Sequence, residues 1–174
     1  MNNQNPDPLT IPRQVPAWNE YFMKMAENVR TKSKDRSTQV GAVIVGDGHA
    51  VLSVGFNGFP RKLNDLVDKR HSRPVKLFYT EHAERNAIYA AARNGVRLLG
   101  STMYVTGGGS PCADCVRAII QAGILKVVCM DKKFEGKSSV WAESCSIGEE
   151  MLLETGVELI LLDENYHDSK GNIN

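Results

Sequence analysis

From Trp18 the apolar residues Phe22, Met25, Ala26 and Val29 follow at i+4, i+7, i+8 and i+11, the spacing of an amphipathic helix that runs to about Ser33. The period then shortens. VGAVIVG (40–46) and AVLSVGF (50–56) are two β-rich runs separated by the turn GDGH, which predicts a hairpin with His49 as a turn residue. GFNGFPRKLND (55–65) has the Gly, Asn and Pro of a loop, and a charged connection occupies 61–80. EHAERNAIYAAARNG places a helix at about 82–94, stopped by Asn94-Gly95. TMYVT (102–106) reads as a strand, GGGS (107–110) as a flexible link, and Pro111 as the opening of a helix through CADCVRAIIQAG with Gly123 as terminator. ILKVVCM (124–130) is a strand, WAESCSIGEEMLLETG (141–156) a helix and VELILL (157–162) a last strand. Helix, hairpin, then strands alternating with helices predicts an α/β domain: a mixed five-stranded sheet with helices on both faces.

Composition narrows this picture without changing it. With 174 residues, 42% hydrophobic and 24% charged, the chain can bury one sizeable core and is short for two. We expect a proline-rich extended arm at 1–16, a single domain at 17–163, and a polar, frayed tail at 164–174 that carries His167. The 21 basic and 20 acidic residues leave a net charge of +1, so no broad field exists to hold a long polyanion, and nucleic acid is not an expected partner. A local pocket can still bind one phosphate. MNNQNPDPLT has no basic segment followed by an apolar core, and no apolar run approaches the roughly 18 residues of a membrane span, so the expected location is cytoplasmic. Cys112, Cys115, Cys129 and Cys145 are too few for a disulfide scaffold and favour metal binding or free thiols.

Chemistry concentrates at two helix starts. Cys112 and Cys115, at i and i+3, can present both thiols to one ion, and unpaired N–H groups at a helix N-terminus favour thiolates. His82 and Glu84 open another helix, and 26 residues separate HAE from PCADC. One histidine and two thiolates are three ligands, which leaves a fourth tetrahedral position for water, the arrangement of a catalytic zinc site. Because two thiolates cancel the charge of Zn²⁺, a base is needed beside the water, and Glu84 is placed for it. The competing reading is a closed zinc staple completed by Cys129, Cys145 or His71, with Glu84 acting only at the helix terminus; packed thiols are the alternative for Cys129 and Cys145.

H-x-E followed by P-C-x-x-C is the signature of zinc nucleobase deaminases. The chain resembles the cytidine and deoxycytidylate deaminase superfamily, most closely its deoxycytidylate (dCMP) deaminases, through SKDRSTQVGAVIV (33–45), GFNGFP (55–60), HAERNAIYAAARNG (82–95), MYVT (103–106) and PCADCVRAIIQAGI (111–124). That resemblance implies a three-layer cytidine-deaminase-like fold, zinc on His82, Cys112 and Cys115, Glu84 as proton shuttle, and conversion of dCMP to dUMP with release of ammonia. It also implies that Asn57 bonds the sugar while the Ala83 N–H and the Ser110 carbonyl hold the base; a turn residue at positive φ is the competing reading for Asn57. Lys34, Arg36, Arg61 and Lys62 are the cations nearest the sugar loop and the candidates for a 5′-phosphate, or else solvated surface charges. Arg93 resembles a position linked to subunit contact and nucleotide regulation, or else complements the helix dipole. Homo-oligomers and dCTP or dTTP effectors are implied by the resemblance alone. GGGS bears on base choice, since it forms one wall of the base pocket, so another small aminated heterocycle such as cytosine, a nucleoside or a guanine-like base is the second substrate class. A zinc-stabilised binding module without turnover is the third reading. The connection 61–80 has no cysteine, so one zinc per chain is expected.

Overall fold

The computed structural model describes residues 15–131 and 139–168. Helix α1 (Trp18–Arg30) precedes the hairpin of β1 (Gly41–Val45) and β2 (Val51–Phe56); α2 (Lys76–Tyr79), α3 (Ala83–Arg93), β3 (Thr102–Thr106), α4 (Ala113–Gln121), β4 (Lys126–Met130), α5 (Ser139–Thr155) and β5 (Glu158–Leu162) follow. The strands form one sheet in the order β2-β1-β3-β4-β5. β1 is antiparallel to β2 and β3, whereas β3, β4 and β5 run parallel. The mixed five-stranded sheet expected from the periodicity is the one observed, and its elements lie within two or three residues of the expected bounds.

Side-chain parity divides each central strand between two cores. Ala42, Ile44, Met103, Val105, Val127 and Cys129 face α3, α4 and α5, where Ala83, Ala87, Ala91, Val116, Ile119 and Leu152 meet them. Val43, Val45, Tyr104 and Val128 face α1, which contributes Phe22, Met23 and Ala26. GAVIV can be apolar throughout because both of its faces are covered. α3 lies unusually close to β2, and Gly55 is the reason: a Cβ there would stand 2.3 Å from Ala87 N and 2.4 Å from Ala83 O. In the same contact Ser53 Oγ donates to Ala87 O at 2.7 Å.

Two segments differ from expectation. The connection 61–80 is not merely charged coil; it contains a 3-10 turn at Asp68–His71 and the short helix α2. Lys76 of α2 reaches 41 positions back to Asp35, Nζ to Oδ1 at 2.6 Å, with the two side chains only 9% and 4% exposed. Asp35 Oδ1 also accepts from the backbone N–H groups of Ser37 and Thr38. Burial works to raise the Asp35 carboxyl, but Lys76 and these N–H donors hold it below the ordinary carboxylate value. The polar tail, expected to fray from 164, instead turns back on itself as far as Asp168: Asp163 N donates to His167 O at 2.9 Å, and Tyr166 OH reaches Glu27 Oε1 on α1 at 3.3 Å. Of the arm at 1–16, only Val15 and Pro16 fall within the described residues. His49 is the turn residue expected, at φ 62° and stacked on Trp18 with ring centroids 3.7 Å apart. No helix among the described residues is long and apolar enough to cross a membrane.

Removing one partner of a buried ion pair leaves the other charge desolvated and alone, so Lys76→Met is expected to destabilise the fold by about 3–5 kcal/mol in equilibrium urea unfolding. A second change, Asp35→Asn, made in that variant should recover part of the loss. Because the folded Asp35 pKa lies below its unfolded value, the pair's contribution is present above about pH 4 and is lost as pH falls through the folded pKa.

Candidate active site

The site forms where two helices begin, beyond the end of β3. His82 is the N-cap residue of α3 and Cys112 that of α4; both have extended backbone, and neither side chain caps its own helix. Pro111 does not open α4 as expected but stands just before the N-cap, so Cys112 takes the N-cap position and Cys115 lies in the first turn. The side chains turn toward each other instead of toward their own N–H groups. His82 Nδ1 is 3.3 Å from Cys115 Sγ and 3.5 Å from Cys112 Sγ. A zinc ion with N and S ligands at about 2.05 and 2.3 Å in tetrahedral geometry requires an N···S edge of about 3.5 Å. The donor set therefore fits that ion in both chemistry and spacing, and among the described residues these three form the one His/Cys/Asp/Glu cluster whose ligand atoms all lie within 4.8 Å of one another.

The electrostatics suit a cation. The hydrogen bond from Cys115 draws the Cys112 thiol down to about 4 against its burial, with His82 adding to the effect. Cys115 is correspondingly pushed up, first by that shared hydrogen bond and then by burial, while the hydrogen bond to Cys112 raises His82. One thiolate, one thiol and a histidine thus share protons in a small buried volume, and a divalent cation supplies the positive charge that those protons otherwise provide. Glu84 is 6% exposed in the first turn of α3, two positions from His82. Burial raises its pKa above the ordinary range. A carboxyl held toward its protonated form is suited to carry a proton in both directions.

The residues proposed as a fourth ligand have other partners. His71 lies on the 61–80 connection with Nε2 2.7 Å from Asp65 O. Cys129 is buried in β4 among the core residues. Cys145 shares an apolar cluster with Cys112 and Cys115, but its Sγ donates to Ser110 O at 3.4 Å. Trp141 escaped the sequence reading: it packs on that cluster, and its ring stands edge-on to His82 at 5.5 Å between centroids. Its distance along the chain from His82 left no local signal.

The expected substrate residues divide into those near the ligands and those elsewhere. Ala83 is buried as the first residue of α3, next to His82. GGGS is not a loose link: Gly109 and Ser110 are buried, and Gly107 lies against the Gln39 carbonyl. Asn57 is 5% exposed and clamps the 35–40 loop, with Oδ1 accepting from Val40 N at 2.8 Å and Nδ2 donating to Thr38 O at 2.8 Å and to Asp35 Oδ2 at 3.4 Å. It does not adopt positive φ. One Oδ1 lone pair remains for an incoming hydroxyl. Lys34 and Arg36 are exposed and paired with Asp65 and Asp68 at 2.6 and 2.7 Å. Arg61 and Lys62 are exposed on the loop after Asn57, and Arg93 is exposed in the last turn of α3.

Comparison with known proteins bears on the same residues. A family profile described as the cytidine and deoxycytidylate deaminase zinc-binding region matches residues 16–131, which include all three clustered ligands and Glu84. A protein of Aliivibrio fischeri called an uncharacterized deaminase in the luxG 3′ region is 41% identical over 148 residues, covering 85% of this chain and 95% of its own. The deoxycytidylate deaminase of Homo sapiens is 36% identical over 130 residues, covering 72% of this chain and 71% of its own. The crystal structure of the dCMP deaminase of cyanophage S-TIM5 in complex with dCMP and dUMP superposes with a TM-score of 0.66 at 28% identity, covering 86% of this chain and 100% of that one. With two helix N-termini bringing His82, Cys112 and Cys115 together, and with the family profile matching the segment that holds them, the chain belongs to the cytidine and deoxycytidylate deaminase family.

Proposed function

We propose that this protein hydrolyses dCMP to dUMP and ammonia. The observation that carries the reading is a carboxyl, raised by burial, beside an open three-ligand cluster; the deoxycytidylate deaminases among its relatives support the choice of substrate. His82 Nδ1 and the sulfurs of Cys112 and Cys115 would hold one zinc per chain. When bound, the ion supplies a Lewis acid that brings a water molecule within reach of deprotonation near neutral pH.

The protein's own groups then manage protons and position. Glu84 takes one proton from the water whose oxygen bonds to C4 of the pyrimidine, and delivers it to N3. It next takes the proton from that oxygen and hands it to the exocyclic nitrogen, so that the C4–N bond breaks with release of NH₃ and a C4 carbonyl remains. The Ala83 N–H would face the base carbonyl, and the Ser110 carbonyl would accept from the exocyclic amine. Asn57, oriented by Val40 and Thr38, offers its remaining lone pair to the sugar. Arg61 and Lys62 are cations near this loop without a carboxylate partner among the described residues, which makes them better phosphate candidates than Lys34 and Arg36. Regulation by dCTP or dTTP, a homo-oligomer with Arg93 at a subunit contact, and a cytoplasmic setting where free nucleotides occur belong to the same reading.

Glu84→Gln is expected to lower kcat by about 10²–10⁴-fold while metal analysis still finds one zinc per chain; unchanged turnover would remove Glu84 from the chemistry, and a zinc-loaded wild type that turns over none of the aminated substrates would leave only a zinc-stabilised module. A panel of dCMP, deoxycytidine, cytosine and guanine assayed for ammonia should show dCMP preferred. Replacing Arg61 and Lys62 by Ala should raise KM for dCMP about 10-fold, the size of one lost charge-assisted contact, and leave deoxycytidine unaffected.

A further inference from the structure

Helix α5 approaches the start of α4 more closely than ordinary side-chain packing permits. A Cβ on Gly148 would stand 2.7 Å from Pro111 O and 3.4 Å from Ala113 N, so a glycine is required at this contact. One turn earlier, two consecutive side chains use the proximity. Ser144 Oγ accepts from Ala113 N at 3.2 Å, and Cys145 Sγ donates to Ser110 O at 3.4 Å.

Each bond answers a need created by the site. The first N–H groups of a helix lack intrahelical partners, and an N-cap side chain normally satisfies one of them. Cys112 occupies that position in α4 with its sulfur directed at His82, so its own helix goes uncapped by it. A hydroxyl from α5, 31 positions away, accepts from a first-turn N–H in its stead. The second bond falls on the carbonyl that precedes Pro111. A carbonyl oxygen has two lone pairs, and a donor on one of them fixes the direction of the other. Neither bond falls on a ligand atom: the first holds the backbone at Ala113, next to Cys112, and the second holds the Ser110 carbonyl on the far side of Pro111. Partners of this kind are worth about 10–100-fold in metal affinity where they have been removed in zinc enzymes.

We propose that Ser144 and Cys145 are positioning residues that divide the site between them: Ser144 holds the turn that carries Cys112 and so governs metal retention, whereas Cys145 orients the Ser110 carbonyl and so governs the fit of the amine-bearing substrate. The second half rests on the dCMP deaminase reading above; the first rests only on the three-ligand cluster.

The experiment compares zinc-loaded wild type with Ser144→Ala, Ser144→Thr and Cys145→Ala. Zinc affinity is measured by competition with a chromophoric chelator, dUMP binding by calorimetry and dCMP turnover by ammonia release. Ser144→Ala should weaken zinc binding about 10-fold, and Ser144→Thr, which keeps the hydroxyl, should stay within about 2-fold of wild type. Cys145→Ala should retain wild-type zinc affinity and lower kcat/KM for dCMP about 5- to 10-fold, the equivalent of one hydrogen bond. Its affinity for dUMP should not change, because dUMP presents a carbonyl oxygen in place of the amine that the Ser110 carbonyl would accept from. Wild-type zinc affinity in Ser144→Ala, or a loss in Ser144→Thr equal to that in Ala, overturns the role of Ser144. Equal losses for dCMP and dUMP in Cys145→Ala, or none for dCMP, overturn the role of Cys145. A wild-type protein that binds zinc but turns over no dCMP removes the deaminase reading and the role of Cys145 together, and leaves the metal measurements on Ser144 to stand or fall alone.

Discussion

Two helix N-termini directed at one point are mutually unfavourable. Each carries unpaired N–H groups and roughly half a positive charge, and burial strengthens their repulsion unless negative charge stands between them. α3 and α4 meet in this way at His82 and Cys112, and Cys112, whose thiol is drawn well down from its ordinary value, supplies the negative charge. The same field that makes a histidine and two cysteines an odd pair of helix openings makes thiolates favourable there. Much of the remaining structure serves to bring the two helix ends together. The apolar face of the sheet shares one core with α3 and α4, and the alanine face of α3 meeting Gly55 lets that helix settle on β2.

A second layer of polar contacts secures the loops around this junction. Asp35 and Lys76 form its centre, with Asn57 bridging from Asp35 to the backbone at Thr38 and Val40. Gly58 and Glu81 exchange backbone hydrogen bonds at 3.0 and 2.8 Å, which ties the loop after Asn57 to the residue preceding His82. Glu81 then accepts from His82 N and pairs with Arg85. The loop around Asn57 and the His82 end of α3 are therefore parts of one hydrogen-bonded unit. Such a network is costly when half satisfied and rigid when complete, and Asn57 and Asp35 are here in the complete state.

The parts of this arrangement that could be read from sequence are those with a local signature. Period-2 and period-3.6 patterns located every strand and the four longer helices among the described residues, and the His82, Cys112 and Cys115 cluster was legible because HAE and PCADC are compact motifs. Contacts between distant residues were not legible. Lys76 looked like one more charge in a charged connection, because nothing near it indicates that its partner is Asp35. Trp141 and Ser144 looked like ordinary helix residues, since their roles appear only once α5 is laid against α4. GGGS suggested flexibility from composition, whereas burial and the Gln39 backbone hold it in place. The error at Pro111 has a different origin: proline is compatible with the first turn of a helix, but here the N-cap position belongs to a cysteine whose side chain is needed elsewhere.

The depth at which Glu84 lies links packing to chemistry. Its carboxyl is raised chiefly by desolvation, so the residues that exclude water from it, more than any single hydrogen bond, set its strength as a base. The alanines of α3 that pack on the sheet are part of that exclusion, and extra side-chain bulk at their contact with Gly55 would shift backbone. A substitution far from the His/Cys cluster that loosens α3 from the sheet would admit water and return Glu84 toward an ordinary carboxyl. Close packing thus sets how readily Glu84 holds a proton as well as how stable the fold is, and the two cannot be altered independently along α3.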